Sequence, residues 1–210
     1  MDERDAKIIS ILRKDPEATQ QAVANYVGIT QPAVHMRIRR LKKMGLLQPK
    51  FELNLKKLGF QAAKVDIVAK NTRDVLRTFE NCPYFLDGFV TTGACNVSLL
   101  FAAEDQSSLR CLVERHVSRH PAVESTHEDS LVSSAKELTM PVDLDGATKK
   151  IAPCGIICRQ CPHYKSGDCL GCPATIYYRG KVWKTNGASR LGEGTIVELD
   201  QMVDHDRIWV

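Results

Sequence analysis

Five of the eight cysteines in this 210-residue chain fall inside nineteen residues, as Cys154, Cys158, Cys161, Cys169 and Cys172 of CGIICRQCPHYKSGDCLGC. A segment of that length cannot bury enough apolar surface to fold by itself, so something besides a core must hold it. The spacing is C-x3-C-x2-C-x7-C-x2-C. Its two C-x2-C pairs are each short enough for both thiolates to face one ion, and Gly167 and Gly171 permit the tight backbone such turns need. Metal ligation is the expected chemistry, with free or redox-exchanging thiols as the rival. Four thiolates suit zinc or an iron–sulfur cluster by ligand type, and both stay open, with zinc marginally ahead. Cys154 exceeds what a structural zinc site needs and creates a C-x3-C-x2-C triplet of the kind seen at radical-chemistry clusters, although no barrel-sized αβ repeat accompanies it. His163 is a further candidate ligand, for which a surface imidazole is the plainer expectation.

The hydrophobic fraction of 43% supplies material for globular cores. Met1 to Lys14 is charged and lacks the apolar run of a secretory signal, and the charge-free run Gly88 to Ala103 falls short of a membrane span. A cytoplasmic protein with no membrane partner is expected. That compartment keeps thiols reduced, so disulfides are not. Cys82, Cys95 and Cys111 stand singly within apolar patterns and are read as small buried hydrophobes.

Charge is unevenly placed. Residues 31–60 hold eight basic and one acidic side chain, a local field that favours a polyanion over a merely solvated helix face. Asp2 can cap a first helix with Ile8, Ile9, Ile11 and Leu12 on one side, ended by Asp15-Pro16. Thr19 caps a second, with Ala22, Val23 and Tyr26 inward, and Gly28 breaks it. Thr30 caps a third, with Pro32 in its first turn and Val34, Ile38 and Leu41 as the buried stripe. Two short helices joined by a glycine turn, the second basic, form a helix-turn-helix whose second helix enters the major groove of double-stranded DNA. Arg39, Arg40, Lys42 and Lys43 are placed for phosphate, with Arg37 on the flank, and Thr30, Gln31, His35 and Met36 lie near the helix start, where base edges are reached.

The stretch from Met1 to Leu47 resembles the N-terminal domain of Lrp/AsnC-family (feast/famine) regulators in its Asp-x-x-Asp opening, paired Ile residues, Val-Gly-Ile-Thr turn and Val-x-x-Arg-Ile-Arg-Arg-Leu helix. Met36 sits where members often carry Arg or Lys, which bears on base preference and not on DNA binding.

After Gly59-Phe60 the period changes. Gln61 to Ala69 alternates as a strand, Thr72 caps a helix closed by Pro83, strands over 85–92 and 96–103 flank a turn at Gly93, Ser107 or Ser108 caps a further helix, and a last strand runs from Val123 to about Val132. This βαββαβ order is the ferredoxin-like pattern. Directly after a helix-turn-helix it matches the family's ligand-sensing domain, and the resemblance covers roughly residues 1–140. It implies dimers or higher homo-oligomers built on paired sheets and a small-molecule effector near Gly93 and Asn96, where Asn96 replaces a frequent Asp.

The expected class is α+β: a winged or three-helix helix-turn-helix over 1–60, a ferredoxin-like domain over 61–140, a Cys-rich metal module over 150–183, and a tail over 184–210, partly disordered, with one strand at Thr195 to Leu199. Tyr177 to Gly180 reads as a hairpin end, and the Cys pattern resembles small Cys-rich domains of uncharacterised prokaryotic proteins. The expected function is a sequence-specific transcriptional regulator, not an enzyme, whose metal module is structural or senses redox state or metal. Sirohaem decarboxylases share this architecture and are the alternative, disfavoured by the Arg and Lys of the third helix. An adaptor that docks a partner through its cysteines is a third.

Overall fold

The computed structural model describes residues 1–48, 52–141 and 149–183. Two compact units divide the chain, Met1–Phe51 and Glu52–Val210. Three helices make up the described part of the first: α1 (Glu3–Lys14), α2 (Gln20–Val27) and α3 (Gln31–Lys43). Asp2 starts α1 through a reciprocal capping box in which Asp5 N–H donates to Asp2 at 2.9 Å and Asp2 N–H donates to Asp5 at 3.0 Å. Thr19 caps α2, and Gly28 ends it in the left-handed conformation at φ 74°, which glycine adopts without a Cβ clash. Thr30 stands at the α3 cap without a side-chain bond. Ile8, Val23, Ala24 and Val34 form the core. Tyr26 is 76% exposed and Ala22 is also exposed, so the inward stripe of α2 is Val23, Ala24 and Val27 instead of the expected one. An eight-residue helix has too few apolar positions to fix its phase, and packing on α1 and α3 decides it.

In the second unit, β2 (Gln61–Ala69), α4 (Thr72–Phe79), β3 (Phe85–Val90), β4 (Val97–Ala103), α5 (Gln106–Leu112) and β5 (Val123–Ser130) give the expected βαββαβ order. The sheet runs β3-β4-β2-β5 with antiparallel neighbours, Val65 facing Leu99 and Ile67 facing Val97. Period-two alternation puts Ala63, Val65 and Ile67 of β2 with Val97, Leu99 and Phe101 of β4 on one buried face. Phe79 of α4 and Leu109 and Val117 beyond it close that face. On the other face Lys64 pairs with Asp66 at 2.8 Å, and Ser98 donates to Asp66. A short ladder, β1 (Leu53–Asn54) with β6 (Thr139–Met140), ties the ends together.

Two caps lie elsewhere than expected. Asn71, not Thr72, caps α4, and Asp105, not Ser107 or Ser108, caps α5. Ser108 is buried, and its hydroxyl accepts the Leu170 N–H at 3.0 Å. That use of the hydroxyl is tertiary and invisible to local spacing. Beyond Leu112 the helix continues as one π-helical turn, Val113–Val117.

Residues 149–183 belong to this same unit. They contain a 3-10 turn at Cys158–Gln160, the short α6 (Pro162–Ser166) and an isolated parallel bridge between Lys149 and Thr175. Tyr177 to Gly180 forms no hairpin. Instead Tyr178 and Trp183 enter the sheet domain's core, the Trp183 ring lying 5.3 Å from Phe60 and 5.7 Å from Tyr84. An apolar aromatic gains more from that core than from a solvated turn. The tail over 184–210, with its expected strand, and the linker at 142–148 lie outside the described residues. Among the described residues no helix is long and apolar enough to cross a membrane.

Candidate nucleic-acid interface and cysteine-lined cavity

The buried Asp5 carboxylate organises the basic helix. Its Oδ1 accepts from Arg37 Nη1 at 2.7 Å and its Oδ2 from Arg40 Nη2 at 2.5 Å, while the same Arg37 nitrogen reaches Asp2 at 2.7 Å. The Arg37 hydrogen bond, helped by the Asp5 backbone N–H, holds the Asp2 carboxyl down to about 2. Asp5 is lowered too, first by the Asp2 backbone N–H and then by Arg37. Arg37, whose side chain is only 22% exposed, therefore clamps α3 to the start of α1. Arg40 is half exposed and shares its guanidinium between Asp5 and solvent. Arg39, Lys42 and Lys43 are exposed on α3, as are Gln31 and Met36, and His35 is half-buried. Gln31 donates to Gln20 at 3.1 Å, linking the starts of the two helices of the motif, and Thr30 is exposed beside it. A cationic face on a helix whose root is neutralised from below is the geometry that phosphate contact needs.

At the expected effector hairpin, Gly93 is exposed and Asn96 is committed. The Asn96 side chain accepts from Ala69 N–H and donates to Ala69 C=O, both at 2.8 Å, which spends its amide on pinning β4 to β2.

The five clustered cysteines do come together, around a cavity instead of a point. That cavity is small, about 30 Å3, and all five line it. So do Cys82, from the turn after α4, and His116, from the π turn, two residues that sequence reasoning passed over. The only local signal for Cys82 was its place in a Cys-Pro turn and not a strand; for His116 there was none. Phe79, Leu112 and Ile156 supply apolar wall. His116 Nδ1 lies 2.9 Å from Cys154 Sγ. Backbone N–H groups donate to sulfur at 3.4 Å from Cys172 to Cys158 and from Gly171 to Cys169. Burial pushes the Cys82 thiol up to about 12, raises Cys154, Cys169 and Cys172, and pushes the His116 imidazole down to about 4, so that it is neutral at pH 7. Among the described residues no group of three or more His, Cys, Asp or Glu side chains is arranged to hold a metal ion.

The module is tied to the sheet domain by more than this wall. Tyr84 donates its hydroxyl to Gly171 C=O at 2.7 Å, Ser107 donates to Asp168 C=O at 2.6 Å, and Glu104 accepts the Lys181 N–H at 2.8 Å. His163, the remaining ligand candidate, is half-buried and does not line the cavity.

Residues 1–48 match the family model described as winged helix-turn-helix DNA-binding. The HTH-type transcriptional regulator FL11 of Pyrococcus horikoshii is 26% identical over 144 residues, which cover 66% of this chain and 94% of the relative. The HTH-type transcriptional regulator AldR of Mycolicibacterium smegmatis is 28% identical over 156 residues, covering 70% and 85%. The structure of E. coli AsnC superposes with a TM-score of 0.60 at 17% identity, over 67% of this chain and 97% of that one. A helix-turn-helix followed by this α+β sheet domain is thus the fold seen in Lrp/AsnC structures. About a third of the chain lies outside each of these alignments.

Proposed function

We propose that the chain is a sequence-specific transcriptional regulator of the Lrp/AsnC type that binds double-stranded DNA as a homodimer or higher oligomer. The observation that carries this reading is α3, a helix with exposed Arg39, Lys42 and Lys43 whose base is fixed by Asp5. Arg39 and Lys43 contribute to affinity through phosphate, and Gln31, His35 and Met36 face bases near the helix start. The double substitution Arg39→Ala with Lys43→Ala should weaken binding to all sequences and lower the slope of log K against log salt by about one unit per lost contact. Unchanged affinity across a salt titration would refute the helix assignment. The oligomer rests on the sheet face that α4 and α5 leave uncovered, which carries Lys64, Asp66 and Asp129. Sedimentation of the full chain should give a dimer or larger, and a monomer at micromolar concentration would refute it.

The five clustered cysteines hold a metal centre, zinc or iron–sulfur, that steadies residues 149–183 or reports metal or redox state. Convergence of all five on one cavity supports this. Single changes of Cys158, Cys161, Cys169 or Cys172 to Ser should remove metal by elemental analysis while α1 to α3 remain folded by circular dichroism.

A further inference from the structure

We infer that Gln20 and Gln31 act as one unit that reads an adenine in the major groove, with Gln31 making the base contact and Gln20 as the residue that positions it. This rests on the reading of α3 as the helix that enters DNA. It adds which base the start of that helix selects, and a residue of α2 that spacing did not single out.

The motif itself builds the pair. Gln20 is the first residue of α2 and Gln31 the first residue of α3. Eleven residues apart in the chain, their side chains meet, Gln31 Nε2 donating to Gln20 Oε1 at 3.1 Å. Gln20 is half-buried and Gln31 exposed, so the first belongs to the protein side of the pair and the second is open to a ligand. Both backbones are fixed where the amides leave them. Thr19 accepts the Ala22 N–H at 3.2 Å at the start of α2, and Pro32 follows Gln31 in the first turn of α3. Neither helix carries a carboxylate that would compete with Gln20 for the Gln31 amide hydrogens.

Counting hydrogen bonds selects the base. A glutamine amide has two N–H donors and one carbonyl acceptor. The bond to Gln20 uses one of the Gln31 hydrogens, which leaves one N–H and the carbonyl side by side. In the major groove adenine presents its N6 amino donor beside the N7 acceptor, and that edge fits the remainder with two hydrogen bonds. Guanine presents two acceptors, O6 and N7, and would set O6 against the Gln31 carbonyl oxygen. The bond to Gln20 also fixes the polarity of the reader, because turning the Gln31 amide over by itself would place its carbonyl oxygen against that of Gln20. A side chain already held in this way gives up less rotamer freedom when it meets the base.

The test uses the full chain. The duplexes it binds best are selected from a randomised pool, and each adenine of the selected site is then replaced in turn by guanine, with its partner base, or by 7-deazaadenine, which keeps N6 and the pairing edge but lacks N7. At least one adenine should stand out, its replacement by guanine weakening binding roughly 5- to 100-fold, the weight of a bidentate contact, and its 7-deaza analogue weakening binding as well. In Gln31→Ala both penalties should vanish at that position and persist at the others. Gln20→Ala should shrink the adenine-to-guanine ratio about 2- to 10-fold, whereas Gln20→Glu, which can only accept, should keep the ratio while its charge weakens binding to every duplex. A purely structural role for Gln20 would not move this ratio, since a loss of folded protein lowers both affinities alike. A Gln31→Ala chain that keeps its preference at every position would overturn the base contact. A ratio untouched by Gln20→Ala would overturn the positioning role, and either result leaves α3 standing as the DNA-binding helix. Selection that yields no preferred sequence would overturn the sequence-specific reading and this inference with it.

Discussion

Residues 1–48 and 149–183 are both small, but they reach stability by opposite routes. The first segment carries its own starts and stops and its own core: Asp2 and Thr19 cap, Gly28 terminates, and Ile8, Val23, Ala24 and Val34 meet without help. The second has one helix of five residues and only a small cluster of its own, Ala152, Cys158, Cys161, Tyr164 and Cys172, while Tyr178 and Trp183 are buried in a core that belongs to the sheet. A chain segment with so small a core can thus be held by a neighbour's core as well as by a metal. The expectation that folding of 150–183 would depend on the ion alone is therefore too narrow, because Trp183, Tyr178 and the Tyr84 hydroxyl already anchor it.

The largest effect that tests this contrast is Trp183→Ala. The ring is 4% exposed and packs on Phe60, Tyr84 and Tyr178, so its loss should cost about 3–5 kcal/mol. Urea unfolding followed by circular dichroism should show the sheet domain and residues 149–183 weakened together. If proteolysis opens only 149–183 while the sheet keeps its midpoint, the shared core is not an energetic unit.

Next is Asp5→Asn in the first unit. It leaves Arg37 and Arg40 short of their buried acceptor, at a cost of about 1–3 kcal/mol, moderated because both arginines keep some solvent. The sign with pH is fixed by depressed carboxyl values. Asp2 and Asp5 contribute stability that is fully present above their unfolded value, near 4, and is lost as pH falls through the folded value, about 2 for Asp2. An acid titration of helical signal should therefore be steeper below pH ~4 in the parent than in Asp5→Asn. Equal slopes would remove the carboxylates from the account.

Tyr84→Phe, comparable or smaller, isolates one tie between sheet and cysteine segment. The buried Gly171 carbonyl loses its 2.7 Å donor, worth about 1–2 kcal/mol, and hydrogen exchange should quicken around Leu170 to Cys172. Protection unchanged there would show that water replaces the hydroxyl at no cost.

The smallest test compares two caps of the helix-turn-helix. Thr19→Ala removes an acceptor for the Ala22 N–H and should cost about 1 kcal/mol, whereas Thr30 makes no side-chain cap bond and its replacement by Ala should cost less than about 0.5 kcal/mol. Thermal melts that rank them the other way would mean that Thr30 closes its bond in solution.

Much of this molecule is determined by the sequence alone because it is encoded by local rules. The three N-terminal helices follow from capping residues, a glycine stop and helical periodicity, and the βαββαβ order follows from alternation punctuated by Gly and Pro. The charge of α3 and the gathering of five cysteines in one segment are properties of spacing. What only the tertiary structure decided depends on groups far apart in the chain. Arg37 pairs with Asp5, 32 residues away. The Ser108 hydroxyl accepts from Leu170 N–H while Asp105 takes the cap that spacing assigned to it, and the Asn96 amide is paired with Ala69. Cys82 and His116 join the cysteine cavity because α4 and the π turn happen to back onto it, and no periodicity within 83 Pro or 113–117 announces that meeting. Local patterns report which faces are apolar and where helices begin; which polar side chain finds which partner is settled by the packing of elements that the sequence places far apart.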